Sequence, residues 1–170
     1  EFKMEAQEQA RAALDMMVRE VRNLGFFPTQ TPCPAPANTA GMVAATATMI
    51  QIVYDANNDG LCTGTLATGA TADEDVTYTI NANDITRTIN DGNGPQVLTA
   101  ANVTNLAFSY FDNNGNVMPF PLNLANVKRI GVTLSVQSRS TDVQFGGQQI
   151  ITMNSNVDLR NRCFNLTASC

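Results

Sequence analysis

The segment AQEQARAALDMMVREVRNLGFF, residues 6–27, is the strongest periodic signal in the chain. Ala10, Leu14, Met17, Val21 and Leu24 recur at spacings of four, three, four and three, which lines them up as one stripe of an α-helix. Ala13 and Val18 widen that stripe, while Glu5, Glu8, Arg11, Asp15, Arg19 and Arg22 fall on the other face. Gly25 stands where a helix C-terminus needs a left-handed residue, and Pro28 follows it. At ~1.5 Å per residue the helix runs about 30 Å. Residues 1–7 contain no Ser, Thr, Asp or Asn to accept the first orphan amides. A stop signal without a start signal predicts the lower half of a longer helix. The apolar stripe must be buried against something, and the rest of the chain says what.

Residues 28–41, PTQTPCPAPANTAG, are too rich in proline for a regular element. Strand patterns dominate from there on. ATMIQIVYD is one β-rich run, and DVTYTI and DITRTI flank NAND as a hairpin. NLAFSYF sets Leu106, Phe108 and Tyr110 on one face, and FDNNGN is a turn with Asn114-Gly115 as a hairpin signal. RIGVTLSVQ alternates Ile130, Val132, Leu134 and Val136; IITMNSNVDL does the same with Ile151, Met153, Val157 and Leu159. Such alternation belongs to antiparallel strands with one face on a core and one in water. The expected class is therefore α+β, with the helix stripe laid on the apolar face of antiparallel sheet. A chain of 170 residues is read as one domain: helix 4–25, Pro-rich loop 28–41, β region 42–162 and a C-terminal cysteine loop 163–170.

Charge and cysteine usage narrow the function. Charged residues are 15% of the chain and the formal net charge is −5, so counterion release on nucleic acid offers little. Nucleic acid is disfavoured as a partner, apart from a local patch able to bind DNA. The surface leans on Asn, Thr, Gln and Ser, as in many exported proteins. Cys33, Cys62, Cys163 and Cys170 include no CxxC pair, and the chain has no His, which argues against structural zinc. An even count fits two disulfides in an oxidising compartment. Three pairings exist. Cys163–Cys170 and Cys33–Cys62 close the shortest loops, for roughly 2–3 and about 3.5 kcal/mol by chain entropy; the alternative is four buried thiols.

No His also means no Ser-His-Asp or Cys-His arrangement. GxSxG, P-loop and SxxK motifs are missing as well, so the chain is read as non-enzymatic. The DANNDG stretch sets Asp55, Asn57 and Asp59 at alternate positions before Gly60, like the first half of a calcium loop. Leu66 stands where an EF-hand requires Glu, so a calcium site would borrow a carboxylate from ADED, with Glu74 first in line and Asp73 or Asp75 as substitutes. The competing account is an ordered turn held by side-chain-to-backbone bonds. Arg160 and Arg162, in DLRNRC, either meet a partner's carboxylate or DNA or, as such charges more often do, stay solvated or pair locally, with Asp158 as the local candidate.

Taken in order, QARAALDMMVREVRNLGF, YDANNDG, DEDVTYTIN, ITRTIN, VTNLAFSYFDNNGN, VKRIGVTLSVQSRS and NVDLRNR resemble the PilW/GspJ-type minor pilins and pseudopilins of type IV pilus and type II secretion systems. The likeness runs from about residue 6 to 162. It implies a type IV pilin-like fold in which a membrane-spanning helix precedes the soluble part, a leader cut by a prepilin peptidase, and assembly of helices into a filament. The implied partners are other minor pilins or pseudopilins, the major pilin and, through the preceding helix, the bacterial inner membrane. The implied location is first that membrane and then a periplasmic or extracellular filament. The expected role is a structural subunit that initiates or caps such a filament. The alternative is a secreted, calcium-stabilised β-rich module for binding or adhesion.

Overall fold

A computed structural model describes residues 2–26, 41–56, 74–89, 94–98, 102–137 and 148–160. The Pro-rich loop and the cysteine loop lie outside the described residues. The elements are α1 (Phe2–Asn23), β1 (Met42–Ala45), β2 (Met49–Val53), β3 (Asp75–Asn81), β4 (Asp84–Ile89), β5 (Pro95–Val97), β6 (Asn102–Phe111), a 3-10 turn (Leu124–Asn126), β7 (Arg129–Gln137) and β8 (Ile150–Asp158). Among the described residues they form two antiparallel meanders, β1-β2-β3-β4-β5 and β6-β7-β8. One helix with antiparallel sheets is the α+β arrangement that the alternation implies.

Period two decides the faces. In the five-stranded sheet Ile50 pairs with Tyr78, which pairs with Arg87, and Ile52 pairs with Val76, which pairs with Ile89. These residues form two rows on one face, and all are buried. The opposite face carries Gln51, Thr77 and Thr88 in one row and Thr79 and Thr86 in another. In the three-stranded sheet Leu106, Phe108 and Tyr110 face the core with Ile130, Val132 and Leu134. Val103 is buried as well, three residues before Leu106. A register shift between Val103 and Asn105 makes this possible: one extra residue lets two apolar side chains at odd spacing share a face.

The sheets adjoin along β6. Phe108 N–H donates to Ala47 O at 2.7 Å and Val103 N–H to Asn83 O at 2.8 Å, so β6 is held to the β1–β2 and β3–β4 turns. Tyr110 adds its hydroxyl to Thr46 O at 2.8 Å. Ala10, Leu14, Met17, Val21 and Leu24 of α1 are buried in one apolar cluster with residues of both sheets. The helix backbone approaches β7 and β8.

Two turns behave differently from their sequence signals. The hairpin between β3 and β4 has Ala82 and Asn83 at its tip, with Ala82 at φ 53°. A left-handed Ala costs roughly 1–2 kcal/mol, which the paired strands on either side must offset. At Asn114-Gly115 the chain does turn, and Asp112 Oδ1 accepts from the amides of Asn114 and Asn116. The hairpin there is minimal: Phe111 bridges Val117, Asp112 N–H donates to Asn116 O at 3.0 Å and Met118 N–H to Tyr110 O at 2.8 Å, after which the chain leaves the ladder until β7. Pro119 and Pro121 lack the amides that a returning strand would need.

After α1 the chain is clamped to β2. Gly25 N–H donates to Val53 O at 3.1 Å, Val53 N–H to Gly41 O at 2.7 Å, and Asp55 N–H to Phe26 O at 2.8 Å. Gly41 has φ +95°, and a Cβ there would strike Gly25 N and lie 2.6 Å from Gly25 Cα. Both backbone angle and close approach demand glycine. Gly41→Ala is expected to lose about 2–4 kcal/mol of stability in urea denaturation, well above an ordinary surface change; a loss below about 1 kcal/mol would show that the junction can relax.

Candidate functional site

The helix carries one acid in its buried stripe. Ala13, Met17, Glu20 and Leu24 follow the same four, three, four spacing as the apolar residues, so Glu20 is aimed inward. Its counterpart obeys strand periodicity. Ile85, Arg87 and Ile89 alternate on the inward face of β4, and Val76 and Tyr78 do so on β3. Tyr78 and Arg87 are direct cross-strand partners, and both reach Glu20. Arg87 Nη2 donates to Glu20 Oε1 at 2.6 Å, and Arg87 Nε lies 3.1 Å from Oε2. Tyr78 Oη donates to Glu20 Oε2 at 2.5 Å. The side chains of Arg87 and Glu20 are 3% and 13% exposed. The planar guanidinium satisfies both carboxylate oxygens at once, and the phenol takes a remaining lone pair, which is what a buried charge pair needs.

Electrostatics follow from this packing. Burial pushes the Tyr78 hydroxyl well above its ordinary value, and the negative charge of Glu20 adds to the shift. Tyr110 is raised by burial alone. Neither phenol is an acid–base group at neutral pH; each is a fixed hydrogen-bond donor.

The residues read from sequence as a cation loop are only partly brought together. Asp55 and Glu74 are both buried at the mouth of the segment 57–73, and Ala56 N–H donates to Glu74 Oε1 at 3.0 Å. Tyr54 N–H donates to Glu74 O at 3.0 Å. Asp75, the alternative acid, accepts from Gln51 Nε2 at 2.9 Å. Asn57, Asp59 and Asp73 lie outside the described residues. Among the described residues no three Asp, Glu, Cys or His side chains gather as a metal site. Cys33, Cys62, Cys163 and Cys170 all lie outside them too, as does Arg162. Asp158 pairs with Arg129, across the β7–β8 ladder at 2.7 Å, rather than with Arg160. Of the local alternatives for Arg160, pairing with Asp158 is thereby set aside: Arg129 stands directly opposite Asp158 in register.

Glu20, Tyr78 and Arg87 escaped the sequence reading. The usable signal was a charged residue at an inward position on two elements, one at helical spacing and one at strand spacing.

Three comparisons bear on this architecture. The family described as PpdB, prepilin peptidase-dependent protein B, matches residues 2–157. No curated protein matches the chain. Among solved structures, the type IV-like pilin TTHA1219 from Thermus thermophilus aligns with a TM-score of 0.54 at 10% identity, covering 91% of this chain and 97% of that one. At that identity the likeness is one of fold. No helix among the described residues is long and apolar enough to cross a membrane.

Two measurements test the buried triad. Arg87→Ala strands the Glu20 carboxylate and is expected to cost about 3–5 kcal/mol, whereas Tyr78→Phe removes one charge-assisted bond for about 1.5–3 kcal/mol. A double-mutant cycle of Tyr78→Phe with Glu20→Gln should show coupling; additive losses would place the bond outside the energetics. The raised phenols set a pH window. Tyrosine in the unfolded chain ionises near pH 10, below the folded values, so stability should hold up to about pH 9 and fall above about pH 10. The slope should approach about 1.4 kcal/mol per pH unit for each tyrosine. Chemical denaturation between pH 7 and 11 checks this, and Tyr78→Phe should reduce the slope.

Proposed function

Because the chain belongs to the family of prepilin peptidase-dependent protein B, we propose that it is a minor subunit that initiates or caps assembly of a type IV pilus or of a type II secretion-like filament. The family and the fold make it a type IV pilus-related structural protein of bacteria. The PilW/GspJ-like, minor-subunit role is the finer reading. The observation that carries it is the state of α1. One face is buried and locked by Glu20 to Arg87, while Arg11, Ala12, Asp15, Met16, Arg19 and Arg22 remain exposed along the other. A helix fixed rigidly to its own domain, with a mixed face turned outward, suits lateral contact with helices of neighbouring subunits, including the major pilin. In this reading the helix continues upstream into a membrane-spanning half, the subunit waits in the inner membrane, and the domain enters the filament as a single unit. Catalysis has no part in it.

Deletion of the gene and complementation separate the possibilities. Loss of the subunit should cut the number of filaments per cell while the remaining filaments keep their normal length, because initiation rather than elongation is affected. Electron microscopy of sheared filaments reads both. Unchanged filament number and unchanged secretion of type II substrates would overturn the proposal.

A second property is favoured by the buried Asp55 and Glu74 at one loop mouth. We propose that Asp55, Asn57, Asp59 and Glu74 hold a calcium ion that stabilises the segment between them, small oxygen ligands being what this hard cation takes. Calcium at a hundredfold excess over its dissociation constant should add about 2.7 kcal/mol, read as a higher Tm. Asp59→Ala should abolish the increase. An unchanged Tm at millimolar calcium would leave the ordered-turn account, in which Glu74 binds Ala56 N–H.

A further inference from the structure

Among the described residues, the sheet edges are guarded, with one exception. β1 is four residues long and carries a register shift between Met42 and Ala44. β5 is three residues long and begins with Pro95. The outer side of β6 is occupied: Val103 and Phe108 donate to Asn83 O and Ala47 O, Phe111 bridges Val117, and Tyr110 O accepts from Met118 N–H. Short length, bulges, proline and covering contacts are the usual means by which a protein keeps an edge from pairing.

β8 has none of them. It is nine residues long, and its register with β7 is unbroken from Gln137–Ile150 to Arg129–Asp158. Its sequence, IITMNSNVD, has no Pro, Lys, Arg or Glu, and its one charge, Asp158, is engaged by Arg129. Apart from Asp158 O, which accepts from Arg160 N–H, the main chain of β8 has no bond beyond its ladder with β7 among the described residues. The inner row is also unfinished. Val157 is buried, but Ile151, Met153 and Ser155 are only half-covered. On the outer row Thr152, Asn154 and Asn156, all polar and uncharged, stand between Ile150, which is 62% exposed, and the paired Asp158.

We infer that the free edge of β8 is a docking edge for an extended strand of a partner chain, taken up by main-chain hydrogen bonding. The edge defines the occupant. Apolar side chains at every second position would complete the cover over Ile151 and Met153. Uncharged polar residues between them would extend the Thr152–Asn156 row. A charged strand would find no counter-charge there, since Asp158 and Arg129 already neutralise each other. The inference stands independently of whether the subunit initiates a filament.

A surrogate strand tests the edge directly. The peptide IITMNSNVD, copied from β8, can pair antiparallel with it so that Ile151 faces Val157, Thr152 faces Asn156 and Asn154 faces its own counterpart. Added to the 170-residue chain, it should slow hydrogen exchange of alternate β8 amides by about tenfold or more while β4 is unaffected. The same peptide with Pro in place of Asn154 should do nothing. Met153→Lys and the more exposed Ile150→Lys in the chain should each weaken binding about tenfold, whereas Asn113→Lys, the same charge at the Asp112 turn, should not. The inference is overturned if millimolar peptide leaves β8 exchange unchanged. It is overturned if the β8 amides of the chain alone already exchange as slowly as those of β7. A concentration-dependent dimer abolished by Met153→Lys would replace the partner chain with a second copy and also overturn it.

Discussion

The bond between Glu20 and Arg87 does what apolar packing cannot. Burial of Ala10, Met17, Val21 and Leu24 drives the helix onto the sheets, but that attraction is non-directional and tolerates sliding. A carboxylate held by two guanidinium nitrogens and a phenol is satisfied in a single geometry. The rotation of α1 about its own axis and its position along β3 and β4 are therefore both set by one side chain. A hydrophobic replacement of similar volume could be as stable. The pair fixes register at the cost of desolvating two charges.

Much of the fold was legible because its faces follow strict periods. The helix stripe, the alternation of Ile130 to Val136 and the DVTYTI–DITRTI hairpin each repeat one rule over several turns or pairs. The failures occur where the rule is broken locally. Val103 is hidden from a period-two reading by the bulge before Asn105. Asn114-Gly115 signals a turn correctly in its own four residues, but Pro119 and Pro121 keep the chain beyond it from returning as a strand. Ala82 at a left-handed position carries no turn signature, because the flanking pairs impose it.

The polar seam was hidden for a different reason. Each of Glu20, Tyr78 and Arg87 looks ordinary alone, and only the juxtaposition of helix and sheet makes them partners. Pairings at a separation of 67 residues have no local trace. Asp55 and Glu74, by contrast, were visible as chemistry before they were visible as neighbours, since small acids before a Gly and a second acidic cluster suggest a shared loop. Their burial shows that the loop base is built into the protein. Glu74 binds Ala56 N–H whatever else it does.

The clamp between Gly25, Gly41 and Val53 has a mechanical meaning. Tension applied to the N-terminal end of α1 reaches the five-stranded sheet at two discrete points, Glu20 on β4 and Gly25 on β2. Both are directional bonds and resist displacement from the first fraction of an ångström. On the β7–β8 side the load meets the apolar stripe of the helix, and apolar contact yields by slipping. Under force the helix and the five-stranded sheet would travel together as one rigid element, and the three-stranded sheet, tethered along β6, would be the part that gives.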